Sequence, residues 1–149
     1  MVKLAISYFY QIRNFKPNMI PVSTALSDPQ WYRPPTGKEY YVDKRGIIIG
    51  LRYEPLIIQK LLPCSCPCEL HKKGGASCNS MKIYREGLEE FVDFNKTIKA
   101  FEFCANKFNA DTIVLIVYET PTNPCSERLS LIDFFNSHGV NCEELAYPI

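Results

Sequence analysis

Short runs of apolar residues along the chain predict the strands of a buried sheet. Residues 3–9, 19–25 and 112–118 are mostly apolar, and the last of these, Thr-Ile-Val-Leu-Ile-Val-Tyr, is the clearest. Strands that are apolar throughout are typical of a parallel sheet with helices covering both faces. The run at residues 47–49 either begins another short strand or leads into a helix that ends before Pro63.

Apolar residues that recur at spacings of three and four predict two consecutive helices. The apolar positions of the first helix are Met81, Tyr84, Leu88 and Phe91. Those of the second helix, which Asp93 is suited to cap, are Phe94, Ile98, Phe101, Ala105 and Phe108. We interpret these side chains as core residues, because large apolar groups are usually buried.

The C-terminal part of the chain has the pattern of a strand, a helix and a strand. Asn123 followed by Pro124 is a typical helix start, Gly139 is placed to end that helix, and residues 142–146 can form the last strand. A helical crossover between two strands implies that the strands are parallel. The sequence therefore predicts one α/β domain over residues 1–149, a small Rossmann-like, mostly parallel sheet flanked by helices.

Composition agrees with a globular domain and adds an uneven distribution of charge. Hydrophobic residues make up 46% and charged residues 22%, with a net charge of +1. The first 60 residues are basic and the last 40 or so are acidic. Either the basic part faces a phosphate-bearing ligand, or the two ends attract each other across one fold. Because the sequence shows neither a signal peptide nor a membrane span, we expect a cytoplasmic protein with no membrane partner.

Five potential metal ligands lie close together in the middle of the chain. They are Cys64, Cys66, Cys68, His71 and Cys78. Thiolate and imidazole groups form the closed tetrahedral shell that structural zinc prefers, and cysteines in a reducing compartment more often serve metals than disulfides. The insert of residues 63–80 is too short and polar to fold unaided. We therefore expect a structural zinc ion there. An iron–sulfur cluster is the less favoured alternative, and reduced surface cysteines are the interpretation without a metal.

Polar residues at the predicted carboxyl ends of the strands indicate a ligand site. Ser7, Ser23 and Glu119 each close a predicted strand, and Cys125 and Arg128 open the helix that follows. In open α/β sheets, ligands bind where strands end and helices begin. A thiol at a helix start is favoured as a thiolate, and arginine can bind an anion through two hydrogen bonds. The alternatives are that Cys125 is a small packed residue and that Arg128 is a structural ion-pair partner of Glu119 or its neighbour Glu127.

Segments around these positions resemble a known family. Ser7-Tyr8-Phe9, Pro21-Val22-Ser23, Tyr118-Glu119, Cys125-Ser126-Glu127-Arg128 and Ser137-His138-Gly139-Val140 are similar to segments of the bacterial and phage family called domain of unknown function 488. Many members have Cys-His-Arg where this chain has Cys-Ser-Glu-Arg, so no role of that histidine carries over. The resemblance implies a compact Rossmann-like fold with a site near the Cys-Arg turn. It implies no activity, because the family is uncharacterised.

The loop of residues 28–46 and the positions just after it are rich in aromatic and basic side chains. They are Trp31, Tyr32, Arg33, Lys38, Tyr40, Tyr41, Lys44, Arg45, Arg52 and Tyr53. Aromatic rings stack on bases while basic groups bind phosphates, so the leading hypothesis is a metal-stabilised domain that binds a nucleotide-like or nucleic-acid ligand. Ser7, Tyr8, Ser23, Trp31 and Arg128 are its candidate ligand-binding residues. In the alternative, the aromatic side chains of this loop cover the core.

Two other functions compete with ligand binding. The first is an enzyme that acts on a nucleoside or base, with Glu119 as nucleophile or general base and Arg128 orienting the substrate. Cys125 is a further candidate nucleophile, although no histidine is obviously available to activate it. The second is a phage-encoded module that binds a host protein.

Overall fold

The computed structural model describes residues 2–57, 79–118 and 127–145. Within these residues the strands, in chain order, are β1 (Lys3–Tyr8), β2 (Met19–Ser23), β3 (Tyr41–Val42), β4 (Ile48–Ile49), β5 (Thr112–Val117) and β6 (Cys142–Glu144). The α-helices are α1 (Asn79–Phe91), α2 (Phe94–Lys107) and α3 (Glu127–Ser137). None of these helices is long and apolar enough to cross a membrane.

Four of the strands form one parallel sheet, in the order β2-β5-β1-β6. β5 and β1 lie in the middle, which explains why β5 is apolar and buried from Ile113 to Val117. β3 and β4 form a separate antiparallel pair. The predicted α/β architecture, a mostly parallel sheet with flanking helices, is confirmed. The strand predicted at residues 47–49 is β4, and the part of that prediction that extends to Pro63 lies outside the described residues.

All three α-helices contribute to the core on the same face of the sheet. The core cluster on this face contains Leu4, Ile6 and Tyr8 of β1, together with Leu115 and Val117 of β5. Its helical members are Tyr84, Leu88, Phe101, Ala105, Leu131, Phe134 and Phe135. This arrangement follows from the alternation of side chains along a strand, which sends every second residue to one face.

The apolar faces predicted for the two consecutive helices are confirmed at most positions, whereas the helix start predicted at Asn123 and Pro124 lies outside the described residues. The carboxylate of Asp93 accepts a hydrogen bond from the backbone N–H of Lys96 at 3.0 Å, as an N-cap does. Phe91 is an exception, because it is 61% exposed. It is the last residue of α1, and at the point where the chain turns towards α2 its ring has no core to pack against. The side chain of Met81 is outside what the structure describes.

The other face of the sheet is covered by irregular segments and the β3-β4 pair. Its core cluster joins Ala5, Val114 and Ile116 of the sheet to Phe9, Ile12, Phe15, Ala25, Tyr32, Ile47 and Ile49. Residues Phe9–Asn14 and Gln30–Tyr32 are short 3-10 helices within this layer. The expectation that helices cover both faces is therefore wrong for this face within the described residues. A buried strand must pack against apolar side chains, but irregular segments can supply those side chains as well as helices can.

Hydrogen bonds from Arg45 connect the turn between β3 and β4 to the 3-10 helix that follows β1. Its guanidinium donates hydrogen bonds to the carbonyl oxygens of Ile12, Arg13 and Phe15, which lie at the end of that 3-10 helix. The carbonyl groups at the end of a helix have no partner within it, so a basic side chain there satisfies them. Arg45, which the sequence offers as a phosphate-binding residue, is therefore engaged with the backbone.

Candidate functional site

The strand register brings Ser7 and Ser23 to the same edge of the sheet. Both residues pair with Ile116 of β5, Ser7 from one side and Ser23 from the other. Neighbouring strands lie about 4.8 Å apart, so the two serine Cα atoms are about 10 Å apart. Glu119 and Cys125, which were expected to join them, lie in residues 119–126, outside the described residues. Their part in the site stays a prediction.

Ser23 is hydrogen-bonded to the buried carboxylate of Asp28. Its Oγ donates a hydrogen bond to Oδ1 of Asp28 at 2.5 Å, and both residues are buried. Oδ2 of Asp28 forms an ion pair with Nη1 of Arg52 at 2.7 Å. Asp28 was not among the residues singled out from the sequence. The signal that could have found it is that Asp28 is the first acidic residue of a basic N-terminal segment, directly before Pro29.

Arg52 remains cationic at this edge of the sheet. Burial alone would lower the pKa of its guanidinium, but the hydrogen bond and ion pair with Asp28, and the weaker ones with Glu54, raise it instead. Nε of Arg52 contacts Glu54 and Nη1 contacts Asp28. Among the described residues, Nη2 has no acceptor. The side chain is about a quarter exposed, so one edge of the guanidinium can meet a ligand.

Ser7 is buried and its hydroxyl is unsatisfied. The residue is 4% exposed, and within the described part of the chain its Oγ is the buried side-chain oxygen that has no hydrogen-bond partner. A buried polar group without a partner costs about 1–3 kcal/mol. Its Cα pairs with Ile116 at the same level as Ser23. An unsatisfied donor therefore lies at the carboxyl edge of the central strands.

Two half-exposed rings pack on one buried ring at this edge. Phe9, which directly follows β1, is buried, and the ring centroids of Trp31 and Tyr118 lie 6.3 Å and 4.7 Å from its own. Trp31 and Tyr118 are each 50% exposed. We call these two residues the exposed aromatic pair. Tyr32 also packs on Phe9, at 5.3 Å, but is fully buried.

The exposed aromatic pair lies beside the charged cluster. Burial raises the pKa of Tyr118, the negative charge of Asp28 raises it further, and the positive charges of Arg33 and Arg52 oppose the rise. All three charges therefore act on the Tyr118 hydroxyl. Arg33 is fixed by hydrogen bonds from Nε to the carbonyl of Asp28 and from Nη2 to Oγ of Ser27. The edge thus combines two accessible rings with two guanidinium groups and one carboxylate.

Tyr8 and Arg128, two other candidate ligand-binding residues, have partners of their own within the fold. Tyr8 belongs to the core under the helices, and its hydroxyl accepts a hydrogen bond from Nε2 of Gln11 at 3.0 Å. Arg128 is buried at the start of α3, and its Nε donates to Oε1 of Glu144 in β6 at 2.8 Å. Arg128 thus forms an ion pair within the fold. Glu144 is not among the glutamates named from the sequence, and of those two Glu119 lies outside the described residues.

The aromatic side chains of residues 28–53 divide between core and surface. Tyr32 donates its hydroxyl to the carbonyl oxygen of Leu51 at 2.6 Å, and burial raises its pKa far above the ordinary range. The Tyr41 hydroxyl donates to the carbonyl of Trp31. The Tyr53 hydroxyl shares a hydrogen bond with that of Thr97. Much of this loop therefore covers the core, and its accessible aromatic surface at the carboxyl edge is Trp31.

The candidate metal ligands of the cysteine-rich insert lie outside the residues that the structure describes. Cys64, Cys66, Cys68, His71 and Cys78 all fall in residues 58–78, outside the described residues. In the part of the chain that the structure describes, no group of three or more His, Cys, Asp or Glu side chains could hold a metal ion. The zinc site in the insert therefore stays a prediction from the sequence.

Comparison with known proteins gives no relative on which to base a function. No protein-family model, no curated protein and no solved structure matches this chain. What the carboxyl edge binds must therefore be inferred from its own geometry.

Proposed function

We propose that this protein binds a nucleotide-like or nucleic-acid ligand at the carboxyl edge of the parallel sheet. The observation that carries the proposal is the exposed aromatic pair, Trp31 and Tyr118, packed on Phe9 beside Arg33 and Arg52. Base–aromatic stacking is worth about 1–3 kcal/mol per base and tolerates any base, because every base has a π-face. A ligand that carries a planar ring and a phosphate matches this combination.

The polar groups at the edge favour an anionic ligand over a neutral one. Arg52 pairs with the Asp28 carboxylate through Nη1, and Arg33 donates to the backbone carbonyl of Asp28, so two guanidinium groups accompany one carboxylate. Nη2 of Arg52 has no acceptor among the described residues, and arginine binds phosphate well because its donors form a planar fork. The unsatisfied hydroxyl of Ser7 supplies a further buried donor at the same level of the sheet.

Two sequence hypotheses accompany this proposal. The insert of residues 63–80 is proposed to bind a structural zinc ion, on the pattern C-x-C-x-C-x2-H-x6-C. Membership of the family called domain of unknown function 488 is proposed on the segments quoted above, and it would place the site near Cys125 and Arg128. Neither hypothesis adds an activity, so the proposed function is binding.

The chain has a single tryptophan, and it belongs to the exposed aromatic pair. Fluorescence of Trp31 is therefore a direct reporter of the proposed site. Adenosine monophosphate, guanosine monophosphate and a short single-stranded oligonucleotide should each be titrated at low salt, because phosphate contacts weaken as salt rises. We expect saturable quenching by at least one of them. No change in fluorescence with any of the three would end the proposal.

Isothermal titration calorimetry of variants tests whether the ligand contacts the exposed aromatic pair. Tyr118→Ala should weaken binding about 5- to 150-fold, the loss expected for one stacked base. Phe91→Ala removes another exposed ring, at the end of α1, and should leave the affinity unchanged. Equal losses from both variants would show that exposed rings bind without specificity.

A further inference from the structure

A cavity lies between α2 and the segment that contains β3 and β4. It has a volume of about 200 Å³, and aromatic rings form a large part of its walls. The rings that line it are Tyr40, Tyr53, Phe101, Phe103 and Phe108. Tyr40 packs edge-on against Phe108 at 5.0 Å, and Tyr53 against Phe101 at 5.1 Å. In each pair the two rings come from opposite sides of the cavity, and their contact fixes the orientation of the rings in its walls.

The size of the cavity limits its occupant to about one ring. An apolar cavity of roughly 150 Å³ takes up benzene, whereas drug-sized ligands fill about 300–1,000 Å³. A cavity of 200 Å³ therefore suits a benzene- to indole-sized group and is too small for a whole nucleotide. Phe103 is exposed and lines the cavity, so a ligand can enter from solvent past its ring.

Lys107 gives the cavity a positive charge, and Glu39, the carboxylate in its lining, forms no ion pair with it. Its Nζ lies 5.7 Å from the ring centroid of Tyr40 and 5.3 Å from that of Phe108. In the described residues Lys107 forms no ion pair. It also acts on Cys104 in the cavity wall: burial raises the pKa of that thiol, and Lys107 opposes the rise. Arg52, which also lines the cavity, is already paired with Asp28 and Glu54.

We propose that this cavity binds small single-ring aromatic carboxylates. The ring would lie among the aromatic side chains, and the carboxylate would pair with the ammonium group of Lys107. A cationic ring compound would be repelled, because Lys107 already lies close to the rings of Tyr40 and Phe108. This site is separate from the exposed aromatic pair and does not depend on the proposed function, although Arg52 contributes to both.

Three probes of matched size test the charge preference: 4-fluorobenzoate, 4-fluorobenzamide and 4-fluorobenzylamine. Their binding to the full chain can be followed by fluorine NMR line broadening at millimolar concentration. The anion should bind about two- to fivefold more tightly than the neutral amide, as expected for an ion pair with an exposed lysine, and the amine should bind most weakly. Absence of binding, or equal binding of all three probes, would overturn the proposal.

Two substitutions separate the charge from the cavity. Lys107→Gln should reduce the affinity for 4-fluorobenzoate to that for the amide, whereas Lys99→Gln makes the same change of charge at an exposed position of α2 that does not line the cavity. Ala100→Leu should fill the cavity and block all three probes, because Ala100 is part of its wall. An equal effect of the two lysine variants would contradict the proposed pairing.

Chemical labelling gives the position of the bound probe. Cys104 is half-buried in the cavity wall, so its alkylation by iodoacetamide, read by peptide mass spectrometry, should slow in the presence of 4-fluorobenzoate. Unchanged labelling at saturating probe would place the ligand elsewhere and contradict the site. Tyr118→Ala, which tests the carboxyl edge, should not alter either result.

Discussion

At the scale of single residues, the clearest structural role belongs to Arg128. Its side chain is 6% exposed and that of Glu144 is 23% exposed, with 2.8 Å between Nε and Oε1. Removing one partner of a buried ion pair leaves the other charge without compensation, at a cost of about 3–5 kcal/mol. Because Glu144 retains contact with solvent, water can recover part of that loss.

We therefore expect Arg128→Ala to lower the free energy of unfolding by about 3 kcal/mol, the lower end of the range for buried pairs. Urea denaturation at neutral pH measures this change. Glu143→Gln is a matched control, because Glu143 precedes Glu144 in β6 but is exposed. Unchanged stability in Arg128→Ala, together with lost ligand binding, would instead identify Arg128 as a ligand residue.

Residue roles were predictable from the sequence where they depend on near neighbours in the chain. Asp93 was identified as a cap because its partner is three residues away. The pairs of Arg128 with Glu144 and of Asp28 with Arg52 were missed, since they join segments 16 and 24 residues apart whose approach is decided by the fold. Nothing local in the sequence favours those partners over other carboxylates.

At the scale of elements, the turn between β3 and β4 is organised by one carboxylate. Oδ1 of Asp43 accepts hydrogen bonds from the backbone N–H groups of Arg45 and Ile47, at 2.9 Å and 3.0 Å. Oδ2 forms an ion pair with the guanidinium of Arg45. Burial alone would raise the pKa of Asp43, but the hydrogen bonds from Ile47 and Arg45 lower it below its ordinary value of 3.8.

Because the pKa of Asp43 is lower in the folded chain than in the unfolded chain, its carboxylate stabilises the fold at pH values above 3.8. That stabilisation is lost as the pH falls through the folded-state pKa. Asp43→Asn should therefore cost about 1 kcal/mol at pH 7, and the difference from the unmodified protein should shrink at about pH 3. Urea denaturation at both pH values measures it.

Glu39→Gln is the control for the Asp43 experiment. Glu39 is exposed and has no ion pair among the residues that the structure describes. The change should have little effect at either pH. A stability difference for Asp43→Asn that stays constant from pH 7 to pH 3 would mean that the amide disturbs the turn by its shape alone.

The strands and helices were largely predictable from the sequence. The irregular layer between β2 and β4, which covers one face of the sheet, was only partly predictable. Strands and helices give periodic patterns, which is why β1, β2, β5, α1 and α2 appear close to their expected ranges. The segment between β2 and β4 has no such period, because 3-10 turns and short extended pieces bury residues at irregular spacing. Its aromatic content was visible from sequence, but the burial of Tyr32 beside the exposure of Trp31 was not.

At the scale of the whole molecule, the cysteine-rich insert offers a test of metal dependence. We expect purified protein to contain about one zinc ion per chain by elemental analysis, because the cluster offers enough ligands for one tetrahedral site. Removal of the metal by a strong chelator should lower the melting temperature, since binding and folding of such inserts are coupled.

Cysteine variants distinguish the insert from the rest of the chain. Cys64→Ser and Cys66→Ser should reduce the zinc content, whereas Cys104→Ser changes a half-buried cysteine in α2 and should not. A metal-free protein with an unchanged melting temperature would contradict the zinc prediction. Visible absorbance of a brown protein would favour an iron–sulfur cluster.

The order β2-β5-β1-β6 has a consequence for how the chain folds during synthesis. β1 and β2 are not neighbours, because β5 lies between them, and Lys3 and Met19 both pair with Thr112. Ribosomes add about 5–20 residues per second, so β1 and β2 are synthesised several seconds before β5, the strand with which both of them pair. Closing such long loops slows folding. The parallel sheet can therefore begin to assemble only when β5 leaves the ribosome, and until then two apolar strands have unpaired edges that are open to chaperones and to aggregation.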